Sequence, residues 1–249
     1  MRIAILSDIH GNRTALEAVL ADLRSTTPDQ VLFGGDLADN GSSPIEVFDR
    51  IRDLGWPAVY GNTDEMLFRP DSLEQFAAQS KAPAALLDAI REIAAATREA
   101  LGTERLSWLA GLPSSITGGS GGGLGLVHAS PASAWRAPAI DAAEGDLVPA
   151  FASLGKPAVA YGHTHVAGIR RLSESTVRLV LNAGSVGLPY DGDPRASYLI
   201  LDDDPPEMQA TIRRVPYDVD REVALLAACG LPGAAWTAKM LRASAPAMP

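Results

Sequence analysis

The chain has little sulfur chemistry and a deficit of positive charge. Cys229 is its single cysteine, which excludes an intramolecular disulfide and favours a reducing compartment such as the cytoplasm. The 21 Lys and Arg residues are outnumbered by 30 Asp and Glu, for a formal net charge of −9. A broad basic face for polymeric nucleic acid is therefore not expected. A phosphate substrate is not excluded, because bound cations would add charge that the sequence does not count.

Long apolar runs are also missing. None approaches the roughly 18 residues that a membrane-spanning helix needs, and Asp8 comes too early for a signal peptide to precede it. We therefore expect no membrane partner and a cytoplasmic protein. What is present is 47% hydrophobic and 20% charged residues, a balance typical of globular proteins with an ample core. The length predicts a single domain over residues 1–249.

Apolar runs alternate with helical stripes over the first part of the chain. Runs at 2–7, 31–33 and 58–60 predict strands, and stripes at 16–23 and 45–54 predict helices. A polar segment follows each predicted strand. This rhythm indicates βαβ units, in which functional groups gather at the carboxyl ends of the strands.

An Ala-rich stretch over 72–112 predicts a helical insert within the domain, with a second short helix starting near Thr103. The insert is either a lid over a site or a packing layer. The glycine-rich segment 118–123 predicts a loose hairpin turn. Further strands are predicted, then a helix over 218–228 and a Pro/Ala-rich tail; the strands are at 157–162, 167–172, 176–182, 197–202 and 208–215.

All four histidines lie in short segments typical of metal sites: S-D-I-H-G-N, L-V-H-A-S and Y-G-H-T-H. Asp8 and His10 are two residues apart, so on an extended segment their side chains project to the same side. The same holds for His163 and His165. Imidazole, carboxylate and carboxamide groups together can form a binuclear centre for transition metals. The members of this set are Asp8, His10, Asp36, Asn62, His128, His163 and His165.

The ordered series D-x-H, G-D, G-N-x-D, a lone His after a strand, and G-H-T-H resembles the calcineurin-like metallophosphoesterase superfamily. The match covers about residues 1–200. The segments N-A-G-S-V-G at 182–187 and D-G-D-P-R at 191–195 resemble the bacterial branch, described as small phosphodiesterases and relatives of diadenosine tetraphosphatases. The resemblance implies an α/β (α+β) fold, a four-layer α/β/β/α sandwich of two facing mixed sheets.

The resemblance also implies a role for each ligand. The first metal would be held by Asp8, His10 and His165, the second by Asn62, His128 and His163, and Asp36 would bridge them. A metal-bridging hydroxide would attack phosphorus in line with the leaving oxygen. The expected cofactors are two divalent transition-metal ions, Mn²⁺ favoured, with Fe, Co, Ni or Zn also suited to these ligands. The predicted catalytic residues are Asp36, Asn62, Asp64 and His128.

One position departs from the family pattern, because G-N-H-D is Gly61-Asn62-Thr63-Asp64 here. The histidine of other members is thought to protonate the leaving group, and a threonine hydroxyl is far too weak an acid for this. General-acid help is typically worth about 10²–10⁴-fold. Thr63 is therefore either a neutral replacement or a feature that favours good leaving groups: activated diesters, nucleotides and pyrophosphate bonds. Asp64 is a candidate replacement acid, but two nearby cations would keep its carboxylate ionised.

Three residues are predicted to contact substrate, and two of them, Asn12 and Arg195, have a structural alternative. Asn12 either contacts phosphate or caps the following helix, and Thr14 with Glu17 fits a capping box in the same place. Tyr190 follows the N-A-G-S-V-G loop. Arg195 either clamps a phosphate oxygen or forms a surface ion pair with a neighbouring aspartate.

Trp135 and Arg136 follow His128 closely. They either stack on a nucleobase or pack against the insert. The predicted partner is a small phosphorylated substrate, with nucleotides among the candidates.

The leading prediction is a metal-dependent phosphodiesterase or nucleotide pyrophosphatase. A phosphomonoesterase or phosphoprotein phosphatase is the second candidate. A non-catalytic interaction module on the same fold is the third, and it is disfavoured because such a protein can lose ligands and this chain keeps all seven.

Overall fold

Residues 1–173, 176–203 and 208–249 are described by the structure, a computed structural model. The strands alternate with helices in the first half and follow one another closely in the second. They are β1 (Arg2–Leu6), β2 (Gln30–Phe33), β3 (Ser115–Gly118), β4 (Leu124–Val127), β5 (Ala158–Tyr161), β6 (Gly168–Arg171), β7 (Leu179–Asn182), β8 (Ala196–Asp202) and β9 (Gln209–Val215).

The helices flank these strands on both sides of the molecule. They are α1 (Arg13–Thr26), α2 (Pro44–Leu54), α3 (Asn62–Phe68), α4 (Asp71–Gln79), α5 (Ala84–Ala110), α6 (Glu144–Phe151), α7 (Val219–Cys229) and α8 (Ala234–Ala243). Within the described ranges, no helix is long and apolar enough to cross a membrane.

The strands form two mixed sheets. Sheet I has the order β2-β1-β8-β9, with β1 parallel to β2 and antiparallel to β8. Sheet II has the order β3-β4-β5-β7-β6, with a parallel centre of β4, β5 and β7. The antiparallel hairpin of β3 and β4 confirms the turn predicted from the glycine-rich segment.

Side-chain alternation along the strands separates the layers. Ile3 and Ile5 of β1 lie in the core between the sheets together with Leu126 of β4. Leu6 projects the other way, into the core beneath α1, α2 and α5. On the far side of sheet II, Tyr161 packs with α6. Since successive strand residues face opposite sides, this order gives the four-layer α/β/β/α sandwich that the sequence resemblance implied.

The region 72–112 is helical, as predicted. α5 is interrupted at Gly102, whose φ of 69° and ψ of 171° are not helical, which confirms a second helical segment beginning near Thr103. Trp108 packs edge-on against Phe48 of α2, with ring centroids 5.2 Å apart. Arg105 forms an ion pair with Asp49 of α2 at 2.7 Å. The far end of α5 is therefore fixed to the body of the domain.

Three local predictions were wrong. The cap of α1 is Asn12, which accepts from the Ala15 N–H, while the Thr14 hydroxyl donates to Glu222 on α7. The run at 58–60 forms a single bridge between Ala58 and Phe33, not a strand. The predicted Pro/Ala-rich tail contains the helix α8, and its alanines have a high helix propensity that the prediction did not use.

Candidate metal centre

The predicted ligands gather where the strands end. Asp8 follows β1, Asp36 follows β2, His128 follows β4 and His163 follows β5. Backbone bonds tie these loops together, since the Asp8 N–H donates to Gly35 and the His163 N–H donates to the Asp8 carboxylate at 3.1 Å. The two parallel strand groups therefore bring residues that are distant in sequence to one edge of the sandwich.

Several ligand residues have an unusual backbone. Non-glycine residues rarely adopt positive φ, and when they do, they cluster at functional sites where the surroundings enforce the strain. Here the feature marks five of the seven predicted ligands: Asp8 (57°), His10 (49°), Asp36 (59°), His163 (62°) and His165 (57°). The fold holds these side chains in position at a conformational cost, which indicates a functional role.

A first group of donor atoms comes from Asp8, His10, Asp36 and His165, all buried, with atoms within 4.8 Å of one another. The Nε2 atoms of His10 and His165 are 3.2 Å apart. Asp8 Oδ1 lies 3.2 Å from His165 Nε2, and Asp36 Oδ2 lies 3.5 Å from His10 Nε2. Four potential ligand atoms thus converge on one point.

A second group shares Asp36 with the first. His128 Nε2 lies 3.4 Å from Asp36 Oδ2 and 3.0 Å from Asn62 Oδ1. Asn62 Oδ1 is in turn 2.9 Å from His163 Nδ1. Asp36 Oδ2 therefore lies between the two groups, while its Oδ1 accepts a hydrogen bond from the Thr63 N–H at 2.9 Å.

The protonation of the imidazoles shows that the first group suits a cation. His10 Nδ1 faces the Asp39 carbonyl at 3.1 Å, and His165 Nδ1 faces the Leu188 carbonyl. A carbonyl only accepts, so each Nδ1 carries the proton and each Nε2 presents a lone pair. When both rings are neutral, the two Nε2 lone pairs face each other beside the Asp8 carboxylate, and a cation between them satisfies all three groups. Such carbonyl partners are typical of metal-binding histidines.

Burial and the nearby carboxylates have opposite effects on the pKa values of His163 and His128. Burial lowers the pKa of His163 to about 4, so its ring is neutral at pH 7, as a metal ligand must be. Burial alone would also lower the pKa of His128, but the carboxylates of Asp36 and Asp8 outweigh it and raise that pKa above its ordinary value. The centre therefore has a negative field that attracts cations.

Two glycines leave room for the carboxylates. A Cβ at Gly61 would collide with Asp36 Oδ1, and one at Gly162 would collide with Asp8 Oδ2. Gly61 has a φ of −99°, so the requirement there is for space and not for a left-handed backbone. The glycines of G-N-T-D and G-H-T-H thus serve the ligands that lie next to them in space.

Asp64 has a structural position. Its carboxylate accepts hydrogen bonds from the backbone N–H groups of Asp36, Leu37 and Gly61 at 2.8, 3.0 and 2.9 Å. It is fully buried and does not line the cavity at the metal ligands. The geometry therefore gives no support to the predicted catalytic role, and it shows Asp64 fixing the loop that carries Asp36.

Two of the residues predicted to contact substrate instead make contacts within the protein. Asn12 caps α1 and donates to the Gly187 carbonyl at 2.8 Å, the structural alternative from the sequence. Arg195 is half exposed and pairs with Asp193 at 2.6 Å, again the structural alternative. Tyr190 differs, because its ring stacks on His165 with centroids 4.4 Å apart. Of the three, Tyr190 alone lines the cavity at the ligands.

The chain matches the family model of the calcineurin-like phosphoesterase superfamily domain over residues 1–204. The chain belongs to this superfamily. This confirms the resemblance found in the sequence, and it makes the chain a phosphoester hydrolase of a family that uses divalent metals.

Individual relatives agree with the superfamily assignment. A crystal structure of a metallophosphoesterase from Sphaerobacter thermophilus is 29% identical, with a TM-score of 0.76 over 98% of this chain and 100% of that one. A hypothetical protein from Pyrococcus horikoshii OT3 has a TM-score of 0.81 at 19% identity, over 99% of both chains, and shows the shared fold. An uncharacterized protein from Methanocaldococcus jannaschii is 30% identical over 233 residues, 88% of this chain and 89% of that protein.

In this phosphoesterase, a cavity of about 160 Å³ opens over the ligands. Its walls are largely apolar and come from distant parts of the chain: Met66 of α3, Ile90 of α5, Trp135, Tyr190, and Trp236 and Met240 of α8. Trp135 also stacks on Phe76 of α4 at 4.9 Å, which confirms packing against the insert. Sequence reasoning missed Trp236 and Met240, since no short motif surrounds them and α8 itself was not predicted.

Proposed function

We propose that this phosphoesterase has a binuclear metal centre and hydrolyses phosphodiester or nucleotide pyrophosphate bonds. Asp8, His10 and His165 would hold one divalent cation, Asn62, His128 and His163 the other, with Asp36 between them. The observation that carries the proposal is the position of Asp36 Oδ2, 3.5 Å from His10 Nε2 and 3.4 Å from His128 Nε2. One carboxylate oxygen facing both groups of imidazoles is the geometry that a bridging ligand requires.

The bound cations supply Lewis acidity and lower the pKa of water to near neutrality. The chain's residues prepare the place for this chemistry. The Thr63 N–H holds Asp36 Oδ1 and so keeps Oδ2 directed between the imidazoles. The His163 N–H donates to the Asp8 carboxylate and so fixes its orientation. The Nδ1 contacts of His10 and His128 with backbone carbonyls keep both rings oriented. Mn²⁺ is the cation we would use first.

The preference for diesters rests on the lack of a strong acid beside the leaving group. Thr63 lines the cavity at the ligands, where its hydroxyl cannot donate a proton effectively at neutral pH. Tyr190 also lines the cavity, but burial raises its pKa above the ordinary tyrosine value, and its hydroxyl donates to Met240 Sδ at 3.3 Å. A leaving group that departs unprotonated is therefore favoured over an alkoxide.

The test is to measure hydrolysis of a substrate panel by the Mn²⁺-loaded protein. The panel contains bis(p-nitrophenyl) phosphate, p-nitrophenyl phosphate, a phosphoserine peptide and nucleoside triphosphates. We expect the diester or the nucleotides to be hydrolysed best. Metal analysis should find two ions per chain. Asp36→Ala should abolish turnover and reduce the metal content.

Asp53→Asn, on the exposed face of α2, is the matched control and should behave as wild type. His163→Ala is a second variant in case Asp36→Ala folds poorly. The proposal is wrong if neither diesters nor nucleotides are hydrolysed, or if Asp36→Ala retains full activity. A clear preference for the phosphopeptide would instead favour a phosphoprotein phosphatase.

A further inference from the structure

A second, larger cavity adjoins the metal centre. It has a volume of about 390 Å³ and lies between α3, α4 and the loop 130–136, with His128 in its lining. Trp135 lines both this cavity and the one over the ligands. Small-molecule sites usually measure about 300–1,000 Å³, so the 160 Å³ cavity over the ligands is too small for a substrate much larger than the reacting group. The rest of such a substrate has the neighbouring cavity available.

The positively charged side chains that line this larger cavity outnumber the negatively charged ones. Glu65 is buried, and one of its oxygens pairs with Arg69 at 2.5 Å while the other accepts from Trp135 Nε1 at 2.6 Å. That carboxylate and the Arg69 guanidinium neutralise each other. Arg136 also lines the cavity, and its guanidinium donates to the neutral amide oxygen of Gln79 at 3.3 Å. Within the described residues no carboxylate forms an ion pair with Arg136, which leaves the cavity with a net positive charge.

A buried hydroxyl adds an independent sign of a ligand. Ser72 of α4 is 3% exposed, contributes to the lining, and its Oγ has no hydrogen-bond partner among the described residues. Buried polar groups are nearly always hydrogen-bonded, and exceptions need an explanation. Oγ is closed to solvent in this structure, so a ligand with acceptor oxygens would supply the missing partner after a rotation of the Ser72 side chain towards the cavity.

We propose that this cavity binds a second phosphate group of the substrate, distinct from the one that reacts. Arg136 would contact its oxygens through two guanidinium N–H groups, and Ser72 would donate through Oγ. The inference rests on the proposed diesterase function, and it narrows the substrates to compounds with two phosphates on one molecule. It also gives the insert helix α4 a role in selecting substrate.

Two diesters with the same leaving group provide the test. Thymidine 5′-(p-nitrophenyl phosphate) has one phosphate, and its 3′-phosphorylated form adds a second without changing the reacting bond. We expect the 3′-phosphorylated form to have a KM lower by roughly tenfold. Arg136→Gln and Ser72→Ala should each reduce the ratio of kcat/KM between the two substrates towards one. Arg24→Gln, at the exposed end of α1, is the control and should keep the ratio.

Binding is measured separately from turnover. Calorimetry of the Mn²⁺-loaded protein should show that thymidine 3′,5′-bisphosphate binds more tightly than thymidine 5′-monophosphate, with the difference lost in Arg136→Gln. Equal affinities, or an unchanged difference in the variant, would overturn the subsite. If neither diester is hydrolysed while the binding difference holds, then the proposed diesterase function fails and the phosphate subsite stands.

Discussion

The backbone and the side chain of Thr63 are independent of each other in the structure. Its backbone N–H holds Asp36 in place, while its buried Oγ1 has no hydrogen-bond partner among the described residues. The side chain can therefore change without loss of the backbone bond. This separation makes Thr63 a position where leaving-group chemistry can be altered and metal binding preserved.

We predict that Thr63→His raises the rate on alkyl phosphate esters, whose leaving oxygen needs a proton, by at least about tenfold. General acids typically contribute about 10²–10⁴-fold, so this is a conservative expectation. The rate on bis(p-nitrophenyl) phosphate should change little. The new rate should fall as pH rises through the pKa of the introduced imidazole, because only the protonated ring donates. Steady-state kinetics across pH measure this. A Thr63→Asn control with the same gain, or an equal factor on both substrates, would contradict the assignment.

The space around Asp36 predicts a second effect at this scale. Gly61→Ala places a Cβ against Asp36 Oδ1, so the carboxylate must turn away from the imidazoles. We expect reduced metal content and reduced activity, measured by metal analysis and by assay of the same preparation. Gly145→Ala in α6 meets open space and should leave both unchanged. Full metal occupancy in Gly61→Ala would show that the loop adapts.

Among the elements, α1 is joined to sheet I by a polar contact. Asp22 accepts from the Arg213 guanidinium at 2.8 Å and from the Tyr198 hydroxyl at 2.6 Å. Burial would raise the pKa of Asp22, but these hydrogen bonds and the Arg213 charge outweigh it and hold the pKa below its ordinary value. The link connects the helix to β8 and β9.

We predict that Asp22→Asn lowers the free energy of unfolding by about 1 kcal/mol, the scale of a partly exposed ion pair. A depressed folded-state pKa stabilises the protein above the unfolded pKa of about 3.9. This contribution is lost as pH falls through the folded-state value. Denaturant unfolding at pH 7 and at pH 3 should therefore show a larger difference from wild type at pH 7. Asp53→Asn should show no difference at either pH.

The elements that sequence could predict are those with strong local periodicity. All the predicted strands except the run at 58–60 formed nearly in place, as β1, β2 and β5 to β9, since alternation follows the local chain. Helix α8 was missed because the prolines that follow it drew attention away from its helix-forming residues, and its packing against Leu188 with α7 stabilises it. The cap of α1 was misplaced for a similar reason, as Asn12 and Thr14 both suit the position and the Thr14 hydroxyl bonds Glu222 of α7.

The candidate site divides in the same way. Its ligands lie in short motifs that follow predicted strands, so the order of these motifs in the sequence was enough to identify them. The residues around them do not: Trp236 comes from α8, while Ser72 of α4 and Arg136 of the loop after His128 line one cavity from distant parts of the chain. The carbonyls of Asp39 and Leu188 that orient the imidazoles carry no side-chain signal at all. Long-range packing places these groups.

For the whole molecule, we predict that removal of metal lowers stability. Without cations, the charges of buried Asp8 and Asp36 are balanced only in part, by the backbone N–H groups of His163 and Thr63, and the Nε2 atoms of His10 and His165 face each other. Binding to the folded state alone stabilises by mass action. Thermal melts after chelation should give a lower Tm, restored by added Mn²⁺. The same addition should leave the Tm of Asp36→Ala nearly unchanged, and an equal rise in both would mean that Mn²⁺ acts elsewhere.

The strand order of sheet I determines when the metal centre can form during synthesis. Its central strand β1 is synthesised long before its antiparallel partner β8, with Arg2 opposite Asp202. Contacts between residues so far apart in sequence form late. The backbone of Asp8 is also held by Val186 and Gly187 bonds to Ser7 and Asp8. A nascent chain that stops before β8 should therefore bind no Mn²⁺ while still on the ribosome, and the metal centre would form only after nearly the whole domain has emerged.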